Sequence, residues 1–344
     1  MNIEILRKLV SFNTIRDKEN KLIMDYIEGY LKEYNFIIKR INKCLVAYND
    51  INAPIGFIGH TDTVDYESWD GDPFILKEDG DKLIGLGACD MKGGIASVLS
   101  AISKLDLTKN KIALYFTNDE EISFEGIKTI SNMINTPNVI IGEPTNNIPI
   151  YGTKGVLELD IEFFGKKCHS STPDKGINAI YECVNFINRL KDFYENSIKS
   201  NISNDFDIPY TTMNIGMING GETVNSVPGK CTITIDFRIA IPSDIEYILD
   251  YIKNELNNYK SNLIVKNIIL PNINNSDISF LEKLSTEKQT KCYLTEGSFI
   301  DKNFIILGPG PDTSHQKNEY ILCSSLDKTE YLYKKIIEYY NGDI

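Results

Sequence analysis

The sequence predicts an α/β protein: a mixed, mostly parallel sheet flanked by helices, interrupted by an inserted α+β domain of ferredoxin-like order. Three observations carry this. Over the first 150 or so residues, short apolar runs alternate with helical periodicities. Near Thr153 the pattern changes to two-residue alternation, and the elements that follow read β-α-β-β-α-β. After Pro271 the chain returns to helix, strand and terminal helix, which would complete the first sheet.

The elements follow from local pattern. Leu22, Ile23, Tyr26, Ile27, Tyr30 and Leu31 recur at i, i+1, i+4, i+5, i+8 and i+9, one apolar face of a helix. Ile55 to Ile58 reads as a strand, then Ile95, Val98, Leu99, Ile102 and Leu105 as a helix. Lys111 to Thr117 is a strand, Glu125 to Ile134 a helix and Val139 to Ile141 a strand. Parallel neighbours need such helical crossovers. In the insertion, Leu157, Leu159, Ile161 and Phe163 alternate with mostly polar residues, as in a sheet with one wet face. Ile177, Ile180, Tyr181, Val184, Ile187 and Leu190 then mark a helix, followed by strands near 211–219 and 231–239, a helix near 243–258 and a strand near 262–270. A helix after Pro271, a strand from Phe304 to Leu307, a glycine turn and a terminal helix close the chain. The domain boundaries expected are 1–152 with 271–344, and 153–270.

Composition removes several functions. Against 48 Asp and Glu there are 36 Lys and Arg, a formal charge of -12, so nucleic acid and anionic membranes, which demand clustered cations, are not expected partners. The amino terminus lacks a basic-then-apolar leader, and no run approaches the roughly 20 apolar residues of a membrane span, so a cytoplasmic location is expected. The seven cysteines, widely spaced and without a Cys-x-x-Cys pair, read as reduced and mostly buried thiols. Phosphate-loop spacing and the serine-hydrolase elbow Gly-x-Ser-x-Gly are both absent.

Only three histidines, His60, His169 and His315, are available for imidazole chemistry. His60 and Asp62 follow an apolar strand and, in extended chain, face the same way, which suits a metal-ligating imidazole and the carboxylate that orients it. Asp90, the run Asp119-Glu120-Glu121, Glu143 and His315 sit in loops, most of them just after predicted strands. In a parallel sheet those strand ends converge on one crevice. Two divalent zinc ions, the carboxylates Asp90, Glu121 and Glu143 and one bridging hydroxide sum to zero charge, with neutral His60 and His315 completing the shells. A short Asp suits the bridge between two metals about 3.5–4 Å apart.

The motifs that carry a family likeness are Gly59-His60-Thr61-Asp62-Thr63-Val64, Trp69 with Asp72-Pro73-Phe74, and Gly85 to Gly94 with its Cys89-Asp90-Met91-Lys92 centre. They continue through Thr117 to Glu121, Gly142-Glu143-Pro144-Thr145, Gly165 to Ser171, and Gly308-Pro309-Gly310 leading to His315. Nearly the whole chain thus resembles the M20 zinc amidohydrolases and peptidases, among them acetylornithine deacetylase, succinyl-diaminopimelate desuccinylase, aminoacylase and carboxypeptidase G. The resemblance implies a zinc-peptidase-type catalytic domain and a lid domain through which two subunits dimerise. It implies one zinc on His60, Asp90 and Glu143, another on Asp90, Glu121 and His315, and Glu120 as general base, with Asp62 beside His60. Zn2+ at two per subunit is the expected cofactor, with Co2+ able to replace it.

By the same resemblance, His169 matches a lid histidine that reaches the opposite subunit of a homodimer and supplies an oxyanion donor. Arg238 lies on the polar side of its strand, where a guanidinium can clasp a substrate carboxylate, and Asn225 matches an amide-donor position. The substrate expected is an N-acyl amino acid of the N-acetylornithine or N-acetyllysine type. Thr295-Glu296 with Gly297-Ser298-Phe299 stands where desuccinylases usually carry Asp-Gly-Arg. A desuccinylase, a metallo-dipeptidase or an aminoacylase is the alternative within the family, and a non-catalytic amino-acid-binding relative the alternative outside it.

Overall fold

The computed structural model describes residues 2–15, 20–66, 69–273, 278, 280 and 289–343. In chain order the first elements are α1 (Asn2–Val10), α2 (Lys21–Glu33), β1 (Ile37–Ile41), β2 (Cys44–Tyr48), β3 (Ile55–His60), β4 (Lys77–Asp79) and β5 (Lys82–Ile84). Next come α3 (Gly93–Ile102), β6 (Ala113–Thr117), α4 (Glu125–Ile130), β7 (Asn138–Ile141), β8 (Ile150–Thr153), β9 (Gly155–Phe164), α5 (Ala179–Phe193) and β10 (Thr212–Gly220). The chain ends through β11 (Lys230–Ile239), α6 (Ser243–Leu256), β12 (Ser261–Ile269), β13 (Asn272–Ile273), β14 (Gln289–Lys291), β15 (Asn303–Ile306), β16 (Tyr320–Leu322) and α7 (Cys323–Tyr340). These elements form two compact units. One comprises Met1–Gly152, Asn274–Gln289 and Thr295–Ile344, the other Thr153–Ile273 and Thr290–Leu294.

In the first unit the strands run β1-β2-β6-β3-β7-β15-β8. The central four, β6, β3, β7 and β15, are parallel, and β1, β2 and β8 add antiparallel partners at the sides. This is the mixed, mostly parallel sheet that the alternating pattern predicts. Ile23, Met24, Ile27 and Leu31 of α2 are buried as expected, whereas Leu22, counted on that face, is exposed. Helix α3 is buried on all sides, between the sheet and α1 and α7, which explains its apolar composition. Helix α1, the β1–β2 hairpin and the small sheet β16-β5-β4 are additions to the sequence reading. The helix expected after Pro271 falls on residues 274–288, which apart from Ile278 and Phe280 lie outside the described residues.

The second unit is a four-stranded antiparallel sheet in the order β10-β11-β9-β12, with α5 and α6 packed on it. Leu157, Leu159, Ile161 and Phe163 interdigitate with Cys231, Ile233, Ile235 and Phe237 in its core, the period-two burial read from sequence. The packed face of α5 differs from that reading: Ala179, Cys183, Phe186 and Leu190 are buried, while Tyr181 and Val184 are exposed. Two apolar series coexist on this helix, and its small residues are the ones that let it approach the sheet.

Candidate metal centre

Parallel register brings the strand ends level. His60 pairs with Thr117 and Ile58 with Ile141, so β3, β6 and β7 finish side by side, with β15 in step with β7. His60 is the last residue of β3, Glu120 and Glu121 follow β6, Glu143 follows β7, and His315 lies in the segment after β15. Asp90 arrives from the side of α3. Its approach uses Gly94, where a Cβ would lie 2.2 Å from the Gly142 carbonyl oxygen, while Gly308, where a Cβ would lie 2.4 Å from the Glu143 carbonyl oxygen, lets the ends of β15 and β7 close together. Asp90 itself is not in an open loop but at a kink in the turn Ala88–Lys92, where Asp90 and Met91 leave helical φ/ψ.

The resulting contacts are short. His60 Nε2 lies 3.0 Å from Asp90 Oδ1 and 3.6 Å from Glu143 Oε1. His315 Nε2 lies 3.4 Å from Asp90 Oδ2 and 3.2 Å from each oxygen of Glu121. Asp90 therefore presents one oxygen to each histidine. The ligand atoms of His60, Asp90 and Glu121 lie within 4.8 Å of one another. Asp62 orients the group in a way the sequence only half indicates. Its backbone carbonyl is 3.0 Å from His60 Nδ1 and its carboxylate 3.7 Å, while Asp62 Oδ2 accepts the Glu121 N–H at 3.1 Å.

The electrostatics of this cluster call for a cation. Burial lifts Glu120 and Glu143 well above the usual carboxylate range, and Asp90 raises both further against the opposing His60. His315, held by Asp90 and Glu121, is pushed up to about 10. His60 is also raised, its own burial outweighed by Asp90, Glu143 and Glu120. Imidazoles and carboxylates at these separations fit a divalent metal of intermediate softness, and the two-sided Asp90 fits a bridging ligand.

Three buried charged residues near this cluster carry no role in the sequence reading. Glu296, part of a branch motif there, is fully buried and accepts the Thr117 hydroxyl at 2.7 Å at the end of β6. Glu319 accepts the Cys89 N–H at 3.1 Å. Lys92, pushed down to about 7 by burial, donates to the Phe12 carbonyl at 3.1 Å. Their burial is the signal, and it is absent from a linear sequence.

His169, Asn225 and Arg238 belong to the second unit. The Ser171 backbone N–H donates to His169 Nδ1 at 3.1 Å, so that nitrogen is an acceptor and Nε2 carries the proton, exposed and able to donate outward. Asn225 shares this corner, its carbonyl accepting the Ser170 N–H at 3.0 Å. Arg238, half-exposed, donates through Nε to Asp236 at 2.9 Å.

Fold and site together define a metal-dependent hydrolase, and comparisons with known proteins identify its family. A family model described as the peptidase dimerisation domain matches residues 151–263. The chain is 33% identical to the acetylornithine deacetylase of Photorhabdus laumondii, over 98% of this chain and 97% of that protein. Among solved structures, a tripeptidase from Staphylococcus aureus superposes with a TM-score of 0.83 at 20% identity, covering 99% of this chain and 98% of its own. A dinuclear metal-binding M20 peptidase from Bacillus subtilis gives 0.74 at 14% identity, covering 100% and 98%. This chain belongs to the M20 peptidase family and is one of its metallo-amidohydrolases and peptidases. Among the described residues, no helix is long and apolar enough to cross a membrane.

Proposed function

We propose that the protein hydrolyses the amide bond of an N-acyl amino acid, of the N-acetylornithine or N-acetyllysine type, with two zinc ions per subunit. The observation that carries this is Asp90, which turns one carboxylate oxygen to His60 and the other to His315, with Glu143 and Glu121 alongside. In this reading His60, Asp90 and Glu143 hold one ion and Asp90, Glu121 and His315 the other. Zinc in that position supplies Lewis acidity at the scissile carbonyl and acidifies water. Glu120 receives the proton of the attacking water and returns it to the departing amine, and its raised proton affinity matches that two-way task. Asp62 holds His60 and the Glu120–Glu121 backbone in place.

His169, with its outward Nε2–H, donates to the developing oxyanion from the partner subunit of a homodimer, and Arg238 with Asn225 binds the substrate carboxylate and its amide. The match to a dimerisation domain supports the homodimer, as do exposed apolar residues on both edge strands, Met217 and Ile218 on β10 and Val265 and Ile268 on β12. The acetylornithine deacetylases at about this level of identity support the acyl group. The cytoplasm is the compartment where such a substrate would be met.

The test is a substrate panel on zinc-loaded and cobalt-loaded protein: N-acetylornithine, N-acetyllysine, N-succinyl-diaminopimelate and dipeptides. The reading expects the highest kcat/KM with an N-acetyl amino acid. A preference of about tenfold or more for the succinyl substrate or for dipeptides overturns the acyl assignment.

A further inference from the structure

We propose that Glu319 is a positioning residue: it fastens the segment bearing Asp90 to the segment bearing His315 and thereby sets how tightly the His315 side of the centre holds a divalent cation. The inference rests on the metal-centre reading above.

Glu319 is 2% exposed and lies immediately before β16. Its carboxylate crosses to the other segment, accepting the Cys89 N–H, next to Asp90, at 3.1 Å. Its own carbonyl accepts the Gly85 N–H at 3.2 Å, at the point where β16 pairs with β5. Cys89 closes the seam from the opposite direction. Its sulfur accepts the Thr313 N–H at 3.3 Å, and its thiol donates to the Pro311 carbonyl at 3.4 Å. The Thr313 hydroxyl then accepts the Tyr320 N–H at 2.9 Å and donates to the Tyr320 carbonyl at 2.7 Å, pinching the base of the loop that carries His315.

That loop needs an anchor. His315 has φ of +60°, a left-handed conformation that non-glycine residues seldom adopt, and its side chain is 54% exposed. Its imidazole meets Asp90 and Glu121, and the seam through Glu319 and Cys89 sets where its loop stands against them. Burial raises the Glu319 carboxyl to about 8 and lowers Lys92, in the same turn as Asp90, to about 7, so Glu319 holds the buried Cys89 N–H as an acceptor oxygen rather than through a full ion pair. Removing the carboxylate leaves the buried Cys89 N–H without its acceptor and loosens the tie between the turn of Asp90 and the loop of His315. Outer partners of metal ligands typically change metal affinity by about 10–100-fold.

The experiment strips wild type, E319A and E319Q of metal and titrates each with Zn2+ by calorimetry and with Co2+ by visible absorption, with circular dichroism as the control for folding. Wild type is expected to take up two equivalents. E319A should weaken the second equivalent by about 10–100-fold and change the cobalt spectrum, leaving the first nearly unchanged. E319Q keeps one acceptor oxygen and should fall between the two. A folded E319A with the isotherm and cobalt spectrum of wild type overturns the proposal. If E319A does not fold, E319Q decides, and wild-type binding in that variant overturns it equally. A wild-type protein that takes up no metal overturns the metal-centre reading itself, and this inference with it.

Discussion

The residues gathered at the sheet ends and the candidates in the second unit are built on opposite principles. In the first unit, His60, Asp90, Glu121, Glu143 and His315 come from five separated stretches, and all but the exposed His315 are buried or partly buried at the ends of the core sheet. Level parallel strands position three of them, Gly94 admits the turn of the fourth, Asp62 braces His60 and Glu121, and His315 meets Asp90 and Glu121 from its loop. In the second unit, His169, Asn225 and Arg238 sit on turns and a strand face; His169 and Arg238 bond side chains or backbone two residues away, and Asn225 only through its backbone carbonyl to Ser170. Metal chemistry tolerates little displacement, so its donors are mounted on a rigid frame. The roles proposed for the second set, recognition and assembly, suit groups that stay exposed until a ligand or a second subunit arrives.

The contrast can be broken most forcefully at its centre. Asp90→Ala removes the one side chain shared by both histidines, and kcat/KM is expected to fall by at least about 10⁴-fold together with loss of bound metal, measured by elemental analysis. Full metal content in this variant would refute the bridging role. Glu120→Gln is the sharper cut: a loss of about 10²–10⁴-fold in kcat with metal content close to wild type. Parallel loss of metal would move Glu120 from proton transfer to ligation.

Smaller effects test the other side of the comparison. His169→Ala should lower kcat by about 10²–10³-fold without changing metal content. Dimers formed by mixing it with Glu120→Gln should regain part of the activity, and mixtures that regain none would argue against a shared site. The mildest expectation concerns pH and stability. In metal-stripped protein the His315 pKa is raised from 6.5 to about 10, so its stabilising contribution is fully present below 6.5 and is lost as pH rises through about 10. Melting temperature should decline across that window without metal. A metal-loaded sample should lack that decline, because the ligating imidazole is already neutral.

Much of the centre is legible in the chain because its donors follow recognisable apolar strands. His60 ends one, Glu120 and Glu121 follow another and Glu143 a third, so the topology of a parallel sheet was enough to group them. Arg238 was legible as a residue on a polar strand face, as the alternating burial of β11 shows. Glu296, Glu319 and Lys92 were not. Each is one ordinary charge among the 84 in the composition, 36 basic and 48 acidic, and no local pattern marks it as buried. The packed face of α5 escaped for a related reason, since two apolar series of helical spacing overlap on it and only the opposing sheet selects one.

The amino-acid sequence by itself determined the order of helices and strands, the change of pattern at Thr153, and the set of imidazoles and carboxylates available for a metal, because periodicity and residue chemistry are local properties. Only the tertiary structure decided that Asp90 faces two histidines at once, that Asp62 reaches His60 first through its backbone carbonyl, and that Glu319 accepts the Cys89 N–H beside Asp90. Those outcomes depend on which atoms packing brings within about 3–4 Å across long separations and which it removes from water.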